Sequence, residues 1–169
     1  MVERSPNFPA VSLGEAIDSV RKIYEKEGRS SFPRLSAVKP LGYKSLNGRS
    51  LRIIGALKAY DLLDGRGDEL RITDTALAIM MAPEGSDEKS AALGRAFRSP
   101  TVFSTLQEYG DASAETLRWH LINAKFKPDA ADKVVEMYQE SKRLVSAIPA
   151  AYTDAATQED EAMQAAIMA

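Results

Sequence analysis

From Ser12 onward, apolar and polar positions alternate at the helical period. Leu13, Ala16, Ile17, Val20, Ile23 and Tyr24 recur every three or four residues, which predicts a helix with one buried stripe. Ser12-Leu-Gly-Glu15 in front of it has the form of a capping box, and Gly28 supplies a stop. Residues 1–11 hold two prolines and no period, so an arm or frayed lead-in is expected there. Phe32-Pro33 interrupts the pattern, and Phe32 is expected in a short extended piece beside a later hairpin. Leu35, Ala37, Val38 and Leu41 form a short stripe ending at Gly42, with Pro40 late enough to kink its last turn.

Asn47 is a good N-cap for a third helix running to Tyr60. On a wheel of 100° per residue, Leu51, Ile54 and Leu57, flanked by Ile53, fall inward. Arg49, Arg52, Gly55, Ala56 and Ala59 fall outward. Two short apolar runs around Asp64-Gly-Arg-Gly67 then read as a hairpin, with Leu70 and Ile72 alternating with Arg71. Thr73 caps a fourth helix, and Pro83-Glu-Gly85 marks a module boundary. The rest is helical in pattern. Segments run from Asp87 to Phe97, from Pro100 to Leu106, through Leu117, Trp119, Leu121 and Ile122, and from Lys127-Pro128 through Val134, Tyr138 and Leu144. The Ala-rich acidic end, residues 148–169, lacks a stripe and is expected to be a flexible tail.

Charge changes this picture in one place. Arg29, Arg34, Lys39, Lys44, Arg49, Arg52 and Lys58 succeed one another with no Asp or Glu before Asp61, whereas solvated helix faces usually mix signs. Residues 1–78 carry 13 basic and 10 acidic groups, and residues 79–169 carry 9 and 14. A polyanion would therefore meet the first half. A short helix, a Gly turn, a basic helix and a hairpin is the element order of a winged helix-turn-helix.

With Leu41-Gly-Tyr43, the Leu51–Leu57 helix and Leu62–Thr73 in view, the first half resembles the winged-helix superfamily. Residues 12–147 are similar to a family of uncharacterised bacterial winged-helix proteins. Its members pair an LGY or LGF turn, an LxxLKxxGLL helix and a G…LT wing with a helical C-terminal half; Asp61 stands here where that family often has Gly. The expected fold is mainly α with a small β-hairpin wing. It divides into an arm (1–11), a winged helix (12–82), a helical subdomain (86–147) and the tail.

Chemistry narrows the function. Hydrophobic residues make up 44% and charged residues 27% of the chain, the balance of a water-facing globular protein. No apolar run approaches the roughly 20 residues of a membrane span, and the N-terminus lacks the order of a signal peptide. The absence of cysteine excludes disulfides and thiolate chemistry and fits a cytoplasmic protein. His120 stands alone beside Trp119, a packing position rather than a metal site. No carboxylate pair or serine sits in a catalytic context, so neither enzyme activity nor a cofactor is expected.

Double-stranded DNA is the expected partner. Arg34, Lys44, Ser45, Asn47, Arg49, Ser50 and Arg52 would be the groove and phosphate contacts, with Arg66 and Arg71 on the wing. The alternative is a protein-interaction module whose basic face takes an acidic partner. Trp119, Phe126, Met137 and Tyr138 further suggest a homodimer through the C-terminal helices.

Overall fold

A computed structural model describes residues 5–146; the tail expected over 148–169 lies outside the described residues. Helix α1 spans Leu13–Glu27 and buries Leu13, Ala16, Ile17, Val20 and Ile23, the stripe expected from periodicity. Ser12 Oγ accepts from Glu15 N at 3.4 Å, the forward half of the capping box. The backbone N–H of Leu13 donates to Ser141 Oγ at 3.0 Å, across 128 residues of chain.

Helix α2 covers Arg34–Val38 and tightens into a 3-10 turn at Lys39–Leu41, with Pro40 in the tightened turn. Gly42 follows at φ +93°, and α3 runs from Gly48 to Ala59. Strands β1 (Leu63–Arg66) and β2 (Glu69–Ile72) pair antiparallel, Gly65 opposite Leu70. Phe32 joins the outer edge of β2 through two 2.9 Å backbone bonds with Leu70, as its position after a break suggested. The corner between α3 and β1 falls on Asp61, a non-Gly residue at φ +59°. Its carbonyl accepts from Thr73 Oγ1 and its carboxylate from Thr75 Oγ1, at 2.7 and 2.8 Å. Those two bonds hold a backbone conformation that glycine would adopt without help.

Helices α4 (Asp74–Met81), α5 (Asp87–Arg98), α6 (Thr101–Gln107) and α7 (Ala114–Asn123) follow, and residues 128–146 are helical, as α8. The described residues are mainly helical, with one two-stranded antiparallel sheet among them. Among the described residues no helix is long and apolar enough to cross a membrane.

The core is continuous across Pro83–Gly85. Phe103 of α6 meets Tyr60 at the end of α3, Phe97 of α5 and Tyr138 of α8, with ring centroids 5.6–5.8 Å apart. Phe97 and Tyr138 stack at 5.5 Å. Tyr60 donates its hydroxyl to Val11 O at 2.8 Å, and burial pushes that phenol's pKa well up.

The arm departs from the frayed lead-in expected of it. Pro9 is buried, Phe8 lies 6.1 Å from Phe126, and Lys127 N donates to Ser5 Oγ at 2.9 Å. Residues 5–11 have no period because they pack as an extended strap, using isolated anchors instead of a repeating face.

The Tyr138 hydroxyl is buried with no hydrogen-bond partner among the described residues. A buried hydroxyl left unpaired costs about 1–3 kcal/mol. Tyr138→Phe keeps the ring contacts and is expected to raise unfolding free energy by about 1 kcal/mol in urea titration. A loss of similar size would mean that the hydroxyl holds a bond to water.

Candidate nucleic-acid interface

Eight of the nine residues expected to contact DNA divide into three groups, and Arg52 stands by itself. The first serves the start of α3. Asn47 Oδ1 accepts from Ser50 N and Ser50 Oγ accepts from Asn47 N, both at 2.9 Å, a reciprocal cap. Ser50 Oγ also lies 3.1 Å from the Ser45 carbonyl, and Ser50 is wholly buried. It presents no surface to a ligand, which corrects its assignment as a contact. A serine three residues after an N-cap completes the cap better from inside the turn than from outside.

The second group carries charge that carboxylates offset. Arg34 donates from both its backbone N and its Nε to Asp68 Oδ1, at 3.3 and 3.1 Å. Those bonds hold the Asp68 carboxyl below its ordinary pKa. Across the hairpin ladder Arg66 faces Glu69 and Arg71 faces Asp64. The stretch from Arg29 to Tyr60 is free of acids in sequence, but the hairpin brings the Asp68 carboxylate back onto Arg34. The hairpin itself carries Asp64, Asp68 and Glu69 along with Arg66 and Arg71.

The third group is exposed and free. Lys44, Ser45 and Arg49 are exposed at the turn and first helical position region of α3. Lys39, counted in the basic stretch but not among the expected contacts, is exposed in the 3-10 turn just before them. Neither Lys39, Lys44 nor Arg49 is in an ion pair among the described residues.

Arg52 stands apart from Arg49. The buried arc of α3 centres on Ser50, Ile54 and Leu57, leaving Leu51 41% exposed and covering Ala56. Both differ from the wheel, on which Leu51 was inward and Ala56 outward. Leu51, Ile53, Ile54 and Leu57 span too wide an arc for all to be buried on one side, and packing chose among them. The opposite face, with Leu51, Arg52, Gly55 and Ala59, lines a groove of about 1080 Å³ whose far wall is α8. Arg52 therefore faces a cleft within the chain, while Arg49 is absent from its lining.

In the C-terminal half, Phe126 and Tyr138 belong to the core and Met137 lines the groove. Trp119 is 60% exposed, unlike the apolar packing position its helix suggested. His120 stacks on Tyr109 with centroids 3.7 Å apart and planes within 7°, a packing role.

Comparison with known proteins found no family model, no curated protein and no solved structure that matches the chain.

Proposed function

We propose that residues 12–82 are a winged helix-turn-helix unit that binds double-stranded DNA through the corner between α2 and α3. The observation that carries this reading is the exposed trio Lys39, Lys44 and Arg49, free of ion pairs among the described residues and in a stretch without carboxylates. Such cations release counterions when they meet phosphates. The amino-terminal end of α3 lies beside them, and a helix dipole favours anions at that end. In this reading the duplex meets the corner end-on. The acidic surroundings of the wing make Arg66 and Arg71 minor contributors, and Arg52 faces away into its groove.

The test is fluorescence anisotropy with duplex DNA over a salt series starting at low ionic strength. Lys44→Ala with Arg49→Ala is expected to weaken binding at least about tenfold and to shrink the salt slope by about two units, roughly one per phosphate contact. Arg52→Ala and the pair Arg66→Ala with Arg71→Ala are expected to leave the slope within about one unit of wild type. Absence of wild-type binding at low salt, or a Lys44/Arg49 variant that binds like wild type, defeats the reading.

A protein-interaction module is the second reading, and the groove between α3 and α8 is the observation that favours it.

A further inference from the structure

The groove has features that the DNA reading leaves unused. One wall is the small-residue face of α3, with Gly55 at its middle; the other is α8, with Met137 between Glu136 and Glu140. The arm and the start of α6 close the ends. Glu15 belongs to the same lining.

Charge at the rim is unbalanced. Glu15, Glu136 and Glu140 stand there with Arg52 and Lys133, and none of the five is in an ion pair among the described residues. Glu136 and Glu140 are one helical turn apart on α8, where like charges repel each other. Among the described residues the rim therefore carries three carboxylates against two cations, a surplus of one, with no ion pair between them.

Gly55 adds a second, independent observation. It is exposed in the interior of α3, where glycine weakens a helix relative to alanine. A Cβ at Gly55 would meet nothing within 4 Å. Packing among the described residues gives no reason for a glycine there, but a helix lying across α3 would use the space. A helix with side chains is about 10–12 Å across and rises about 5.4 Å per turn, so the groove volume matches roughly two turns of helix.

We propose that this groove binds a basic amphipathic helix of another protein. Its apolar stripe lies on Leu51 and Met137, its backbone approaches α3 over Gly55, and its Lys or Arg side chains meet Glu15, Glu136 and Glu140. This is the helix-in-groove mode of recognition. Nucleic acid does not fit the same groove, since phosphates would meet three carboxylates. A small ligand is matched less well, because small-molecule pockets bury most of their ligand, and this cleft is open on one side.

The experiment selects a displayed library of helical peptides against the full chain and measures the enriched sequences by fluorescence anisotropy. Enriched peptides are expected to carry a Leu, Ile or Met stripe flanked by Lys and Arg and to bind with micromolar Kd. Glu136→Lys with Glu140→Lys is expected to weaken them at least about tenfold, an effect reduced by added salt. Gly55→Leu fills the space and is expected to abolish binding while the melting temperature is kept or raised, since leucine is the better helix former. Lys44→Ala with Arg49→Ala is expected to leave peptide binding unchanged, which separates this inference from the DNA reading. Enrichment of acidic or neutral helices, binding that survives Gly55→Leu, a polyamine such as spermidine binding as tightly as the peptides, or no enrichment at all would each overturn it.

Discussion

Phe103→Ala is expected to lower the unfolding free energy by about 3–5 kcal/mol, the range for removing a large buried aromatic ring. Phe103 is fully buried and lies at the junction of three other rings. Tyr60 comes from the first half of the chain; Phe97 and Tyr138 come from the second. Edge and tilted contacts among such rings add to the area they bury, so the cavity would be lined from both sides and could not collapse by moving one helix. Against a typical total of about 5–15 kcal/mol, this is about a fifth or more of the stability. The consequence reaches beyond its size. If one core serves both halves, the variant unfolds in a single transition, shifted equally by far-ultraviolet circular dichroism and by Trp119 fluorescence. Far-ultraviolet circular dichroism reports the helices of both halves, whereas Trp119 belongs to α7 of the second, so the two signals sample different parts. A variant in which one signal keeps the wild-type midpoint would show that the halves fold separately.

Gly65→Ala is the second large effect. A Cβ at Gly65 would lie 1.9 Å from the Glu69 carbonyl oxygen, and the backbone is at φ +111°. Backbone strain of that kind costs about 1–3 kcal/mol where the fold resists it, and the overlap forces β1 away from β2 as well. Leu70, fully buried and opposite Gly65, also carries the two backbone bonds to Phe32. Displacing it loosens both edges of β2. A loss of about 3 kcal/mol or more is expected by chemical denaturation. Gly67→Ala is the control: it has positive φ but nothing within 4 Å of a Cβ, so only the left-handed penalty of about 1–2 kcal/mol applies. Equal losses in the two variants would show that the close approach at Gly65 is not what the turn depends on.

Much of the architecture was legible in local order. The stripe of α1, the cap at Asn47, the break at Pro40 and the extended Phe32 each follow from a few neighbouring residues, and each stands where that order puts it. The hairpin does too, but its turn falls on Gly67-Asp68, because Gly65 and Arg66 pair within β1. The candidate interface was less legible. Lys44 and Arg49 needed only to be charged and outside the apolar stripe. The acid that offsets Arg34 arrives from the hairpin, 34 residues further along the chain, and such a pairing leaves no mark in the basic stretch itself.

The sequence by itself determined where helices start and stop, which stripe of α1 is buried and where the chain turns back as a hairpin. Those outcomes rest on hydrogen bonds and side-chain periods spanning a handful of residues. Tertiary structure alone decided that residues 5–11 would be a packed strap, that Leu51 would be exposed and Ala56 covered, and that Arg49 and Arg52 would part company. It also brought Glu15, Glu136 and Glu140 around the small-residue face of α3. The reason is physical: α3 offers more apolar surface than one side of a helix can bury. Which arc reaches the core depends on α1, α2 and β1, which pack against α3, and what the other arc confronts depends on α8 and the arm.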